Sequence, residues 1–114
     1  MLTKQASGFI KQEDFPVEEV DPGITRQILG HDPHLMMVRV CFKKGAIGYV
    51  HTHPHRQVAI IEKGSFEVQI DGEKKVLKAG DGYFIPPDVP HGAVALEDGV
   101  LIDVFTPCRE DFLK

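Results

Sequence analysis

Three of the chain's six histidines crowd into Tyr49-Val50-His51-Thr52-His53-Pro54-His55. In extended backbone alternate side chains share a face, so His51 and His53 are expected to point the same way, a ready pair of imidazole ligands for a metal ion. A His-rich surface turn explains His-x-His alone equally well. Two further residues narrow the choice. Gln57 follows shortly after, and His91 ends the run Ile85-Pro86-Pro87-Asp88-Val89-Pro90-His91, where the fixed φ of proline sets the direction of the next side chain. The full spacing is Gly45-x5-His51-x-His53-x3-Gln57-x6-Gly64, then Gly80-x5-Pro86-x4-His91. His55 stands beside Pro54, which bends the chain, and is expected at the rim or behind the ligands. His31 and His34 flank Asp32-Pro33 in a predicted surface turn.

A carboxylate interrupts the apolar run Val100-Leu101-Ile102-Asp103-Val104-Phe105. On strand alternation Asp103 shares a face with Leu101 and Phe105, and burying an unpaired carboxylate is costly. Two readings stay open: a structural Asp bonded to backbone amides, or an inward Asp beside a metal, where burial and a nearby cation set its pKa for acid/base work. Arg109 reads by default as a solvated residue near a terminus.

The elements that must position these residues are strands. From Ile24 onward the sequence is short runs of β-branched and aromatic residues punctuated by Gly, Pro and Asp. Strands are predicted at residues 25–29, 35–42, 47–51, 57–63, 66–70, 74–78, 82–85, 92–96 and 100–105. Asp71-Gly72, Asp98-Gly99 and Lys63-Gly64 are expected hairpin turns, and Lys44-Gly45 and Ala79-Gly80 close further runs. Many short antiparallel strands predict an all-β sandwich, jelly roll or barrel. Residues 1–23 read as an arm with one edge strand packed on the barrel, and residues 24–114 as the one domain that 114 residues allow.

With 42% apolar and 26% charged residues the chain is in the soluble globular range. A net charge of -4 without a basic run argues against nucleic acid, and no apolar stretch suits a membrane span or a signal peptide. A cytoplasmic protein is expected. Cys41 and Cys108, far apart and outside any CxxC pair, are expected as reduced thiols.

The two spaced motifs resemble the cupin superfamily, whose first motif reads Gly-x5-His-x-His-x3,4-Glu-x6-Gly and whose second reads Gly-x5-Pro-x-Gly-x2-His-x3-Asn. Gln57 stands where Glu is usual, Asp88 where Gly is, and Ala95 where Asn is. The resemblance implies a jelly-roll barrel of the RmlC type with one divalent ion on His51, His53, Gln57 and His91. Four neutral ligands leave the ion's charge uncompensated, which should attract anions and sharpen its Lewis acidity. Within the cupins, His51-x-His53-Pro54-His55-x-Gln57, the stretch Pro90 to Val100, and Asp103-Val104-Phe105-Thr106-Pro107-x-Arg109-x-Asp111-Phe112 look like the KdgF family of pectin-degradation proteins. Cys108 stands where Pro is common.

KdgF-type proteins convert 4,5-unsaturated uronate monosaccharides from pectin or alginate into the linear 5-keto-4-deoxyuronate. By the resemblance Asp103 is the catalytic acid/base, Phe105 lines the pocket, and Arg109 supports binding of the substrate carboxylate, sharing the catalytic work. The implied partners are a small anionic sugar and a second copy of the chain as a homodimer. The ion itself, zinc, nickel, iron, manganese or copper, stays open. Two rival readings carry different chemistry: an iron oxygenase in the same barrel, and a non-catalytic module that binds a small acid or sugar. The neutral Gln57 weighs against the first, and Asp103 with Arg109 against the second.

Overall fold

The computed structural model describes residues 8–114, so the part of the expected arm before Gly8 lies outside the described residues. Ten strands follow in order: β1 (Glu18–Asp21), β2 (Ile24–Asp32), β3 (Leu35–Phe42), β4 (Ile47–His51), β5 (Arg56–Lys63), β6 (Ser65–Ile70), β7 (Glu73–Lys78), β8 (Gly82–Ile85), β9 (His91–Ala95) and β10 (Gly99–Thr106). Short 3-10 turns at Gln12–Asp14 and Glu110–Leu113 are the helical elements among the described residues. The expected strands are all present, and their ends differ by a few residues. The largest difference is in β2, which runs on through Asp32 and pairs His31 with Met36, so His31 belongs to a strand and not to the turn. Asp32 allows this by accepting hydrogen bonds from the amides of His34 and Leu35 at 2.8 and 2.9 Å, which tightens the reversal around Pro33.

The strands form two antiparallel sheets, one ordered β1-β2-β3-β10-β5-β8 and the other β4-β9-β6-β7. Their facing sides hold the core, as period-two burial requires: Gln57, Ala59 and Ile61 point inward from β5, and Leu101, Asp103 and Phe105 from β10. One apolar cluster joins the sheets through Ile24, Phe42, Ile61, Phe66 and Val68, with Phe42 meeting Phe66 edge-on at 5.1 Å and 85°. A second, around Ile28, Met36, Val38, Phe105 and Cys108, closes the end nearest the C-terminus. Both thiols are free.

Only one of the three expected Gly hairpins is a hairpin. Asp71-Gly72 joins the paired strands β6 and β7 with both residues at positive φ, 50° and 84°, the conformation of a type I′ turn. Lys63-Gly64 and Asp98-Gly99 are instead corners where the chain leaves one sheet for the other, because β5 and β6 do not pair, nor do β9 and β10. The same residue types serve both purposes: Gly64 has φ 80°, and a Cβ at Gly99 would lie 2.7 Å from the Phe66 ring.

At the start of the chain, the buried side chain of Gln27 donates to the carbonyls of Gln12 and Phe15, both at 3.1 Å, and so ties the segment before β1 to β2. β1 itself extends the six-stranded sheet at its edge, by antiparallel pairing with β2.

Candidate metal centre

β4 and β9 pair so that His51 lies directly opposite His91. The pairing slips between Gly48 and His51, and the slip depends on Gly92: a Cβ there would come within 2.8 Å of the Gly48 carbonyl oxygen and 3.0 Å of the Val50 nitrogen. His53 is brought to the same place by the loop after β4, whose carbonyl at His53 accepts a hydrogen bond from the Asp88 amide at 2.9 Å. Asp88 has φ 65°, a left-handed conformation that explains why Gly is usual at this position and why Asp, among the residues that tolerate it, can replace Gly. The ligand nitrogens of His51, His53 and His91 lie within 4.8 Å of one another. His53 and His91 are buried, and His51 faces the opening.

The rings are locked in one tautomer. Each Nδ1 faces a backbone carbonyl: His51 that of Tyr49 at 2.9 Å, His53 that of His55 at 3.1 Å, and His91 that of Val89 at 2.9 Å. A carbonyl oxygen only accepts, so each Nδ1 carries the proton and each Nε2 presents a lone pair. Burial holds the His53 pKa below its usual value and lowers that of His91 to about 4, so neither ring picks up a second proton at neutral pH. His55 therefore acts on the site through its carbonyl, while its own ring stands 5.5 Å from that of His53 and outside the three-histidine group.

Gln57 stands beside the three histidines. Across the β5–β10 ladder it sits opposite Phe105 and diagonal to Asp103. Its amide nitrogen donates to Asp103 Oδ1 at 2.9 Å, which turns its Oε1 toward His53 Nε2 at 3.0 Å. Two lone-pair atoms thus confront each other with no proton between them. The Nε2 of His91 is likewise buried without a partner. Unpaired buried acceptors are costly, and a cation among them satisfies all of them at once. The donors of this site fit a divalent ion, with neutral imidazoles and an amide oxygen oriented by bonds from behind.

Asp103 is buried, at 7% exposure, and its pKa is raised to about 6, chiefly by burial, with the Gln57 hydrogen bond and the Arg109 charge pulling the other way. Among the described residues its hydrogen-bond partner is the Gln57 side chain, 46 residues away in sequence, and not a backbone amide. The phenol of Tyr83 on β8 is pushed up by burial and by the Asp103 charge.

Phe105 packs edge-on to His53 at 5.7 Å and 80°. Arg109 is buried rather than solvated, at 9% exposure, because its fork is closed on Asp111: Nε donates to Oδ1 at 3.0 Å and Nη2 to Oδ2 at 2.8 Å. This pairing holds the Asp111 carboxyl below the usual range.

His51, Gln57, Asp103, Phe105 and Arg109 line one open cavity of about 590 Å³, in the range of small-molecule sites. Its other wall was not evident from sequence. β1 contributes Glu18 to Asp21, β2 contributes Arg26, and the C-terminal turn contributes Asp111 and Phe112. Arg26 carried a usable signal, since it alternates with the core residues Ile24 and Ile28 and so faces inward. β1, short and polar, carried none.

Comparison with known proteins agrees with this architecture. Residues 38–105 match the family model described as a cupin domain. The pectin degradation protein KdgF of Dickeya dadantii is 52% identical over 103 residues, spanning 89% of this chain and 94% of that protein. The structure of KdgF from a Halomonas species superposes with a TM-score of 0.90 at 43% identity, covering 95% of this chain and 100% of that one. An RmlC-like cupin from Shewanella frigidimarina superposes with a TM-score of 0.92 at 48% identity, covering 96% and 99%. The chain thus belongs to the cupin superfamily and, within it, to the KdgF family.

Proposed function

We propose that this protein converts 4,5-unsaturated uronate monosaccharides from pectin or alginate breakdown into the linear 5-keto-4-deoxyuronate, by a metal-dependent ring opening and isomerisation. The observation that carries the reading is the Gln57 amide, which turns its oxygen to the histidine cluster and its nitrogen to a buried carboxylate. In this reading the histidine cluster is the ion site and the carboxylate beside it the proton carrier. The KdgF name of the Dickeya relative, a pectin degradation protein, supports the substrate class.

His51, His53, Gln57 and His91 are the residues that would hold the ion. When bound, it supplies Lewis-acid stabilisation of charge on the oxygens of an acidic sugar. The chain's own residues do the rest. Asp103, ionised at pH 7 with a pKa of about 6, takes the proton from the C1 hydroxyl. The bond from C1 to the ring oxygen breaks, C1 becomes an aldehyde, and the ring oxygen leaves as the C5 enolate. Its electrons take a proton at C4, returned by Asp103, and C5 becomes a ketone. One proton leaves O1 and one arrives at C4, so no oxidant or second substrate is needed. Arg109 contributes positive charge for the substrate carboxylate, through the nitrogen that Asp111 does not engage. Phe105 keeps that wall apolar and shields it from water.

We also assign the cytoplasm, which suits two free thiols, and a homodimer. The outer face of the six-stranded sheet exposes Val58, Ile60 and Phe84, and the ladders place Val104, Met37 and Ile102 beside them. A face four strands wide spans about 15 Å, the scale of a two-fold contact of about 800 Å² per chain. Ile10, on the arm, extends the same apolar surface, lining a groove with Leu35, Met37 and Val104.

The direct test is the loss of ultraviolet absorbance by the unsaturated uronate above its unaided rate, with dissolved oxygen followed in parallel. The reading expects acceleration with no oxygen consumed. Oxygen uptake, or binding of uronates without turnover, overturns it.

A further inference from the structure

Phe112, in the C-terminal turn, is where three parts of the chain meet at the cavity wall. The Cζ of Arg26 lies 3.9 Å from its ring centroid and that of Arg109 4.1 Å, while its ring meets Phe105 edge-on at 5.7 Å and 89°. Two cations so close to one centroid cannot share a face, so the ring is held between them. Each guanidinium is also pinned by an acid. Arg26 Nε and Nη2 both reach Glu18 Oε1, at 2.9 and 2.8 Å, and the Arg109 fork is closed on Asp111. Neither arginine can swing freely, and Arg109 keeps Nη1 outside the Asp111 fork.

We propose that Arg26, Asp111 and Phe112 are positioning residues that fix Arg109 in one orientation at the wall of the metal cavity, so that it meets the carboxylate of the ligand already ordered. The proposal rests on the reading of the ligand as an anionic uronate. A guanidinium left free to rotate would have to be ordered at the moment of binding. Immobilising one such side chain weakens association by about two- to tenfold. The chemistry at Asp103 and the histidines is untouched by that loss, so the effect belongs in KM and not in kcat.

The experiment compares Phe112→Leu and Arg26→Gln with the conservative Phe112→Tyr, on the unsaturated uronate and on its uncharged methyl ester. For Phe112→Leu and Arg26→Gln the proposal expects KM for the acid to rise up to about tenfold, with kcat within about twofold and KM for the ester unchanged. Phe112→Tyr, which keeps an aromatic ring between the two cations, should retain the parent values. The Nε–Hε resonance of Arg109 in ¹⁵N-labelled protein gives a second readout that needs no turnover. It should be slow to exchange in the parent and in Phe112→Tyr, and measurably faster in the other two variants, where the Asp111 fork alone still holds the guanidinium. A fall in kcat at constant KM, an equal rise in KM for acid and ester, or an Arg109 resonance indifferent to both substitutions overturns the proposal. If the parent protein turns over no unsaturated uronate, the proposed function fails, and the resonance alone decides the positioning role.

Discussion

Replacing Asp103 with Asn separates the stability of this barrel from its chemistry. The folded protein holds the Asp103 carboxyl at a pKa of about 6 against an ordinary 3.8, with burial as the main cause. Above pH 6 the folded state carries a charge it would rather lose, and that gap corresponds to about 3 kcal/mol of destabilisation at pH 7. The sign follows from proton binding: between 3.8 and about 6 the folded chain binds the proton more tightly than the unfolded one, so this contribution improves as the pH falls through that window. Asparagine keeps an oxygen to accept the Gln57 hydrogen bond at 2.9 Å but carries no charge. The weaker neutral bond is already contained in the raised pKa, so the variant should gain up to about 3 kcal/mol, or roughly 12 °C in Tm for a domain of this size.

The assay is a series of thermal melts of chelator-treated protein from pH 4 to pH 8, since a bound cation would draw the carboxyl back toward its ordinary range. His53 and His91 titrate in both proteins, so the difference between them reports Asp103. Asp103→Asn should melt higher at pH 7, with the gap closing toward pH 4, and should lose turnover by about 10²- to 10⁴-fold. A variant that melts at or below the parent at pH 7, or a gap that does not change with pH, refutes the assignment of a strained, ionised carboxylate at this position.

Gln57→Glu sets a carboxylate where an amide nitrogen now stands 2.9 Å from Asp103 Oδ1, so the pair should share a proton and the acidic limb of the pH-rate profile should move up by about one unit or more, with tighter ion retention against a competing chelator. An unchanged profile would show that the neutral amide is not what sets Asp103. Gly92→Ala forces a Cβ against the Gly48 carbonyl at 2.8 Å, and should cost about 1–3 kcal/mol while parting His51 from His91; melts with and without added ion should show lower stability and a smaller ion-induced shift. For the outer sheet face, sedimentation at micromolar concentration should give a dimer for the parent and a monomer for Ile60→Glu, with turnover per chain retained. A monomeric parent contradicts the assignment of that face.

The strands were legible because most are short runs of β-branched and aromatic residues bounded by Gly, Pro or Asp. Local patterns do not say which strand pairs with which. The residue types that make Asp71-Gly72 a hairpin also make Lys63-Gly64 and Asp98-Gly99 corners between sheets, and the difference lies in strand order. The histidines were legible because a metal site demands particular residue types at short spacing. Their orientation was not, since it rests on backbone carbonyls of Tyr49, His55 and Val89, which every residue possesses. Asp103 could be flagged from sequence as a charge on an apolar face, yet its partner Gln57 comes from another strand by register. Arg109 reads as solvated only while Asp111 and Phe112 are taken for a tail; folded back, they bury it.

In the proposed function four uncharged donors, His51, His53, Gln57 and His91, hold one cation on which activity depends. Protein stripped with a strong chelator and titrated with a divalent transition ion, by calorimetry with turnover measured at each step, tests it in one series. One equivalent per chain should bind, uronate conversion should return in proportion, and His91→Ala should lose both. A stripped protein as active as the loaded one, or ion binding that survives His91→Ala undiminished, would contradict it.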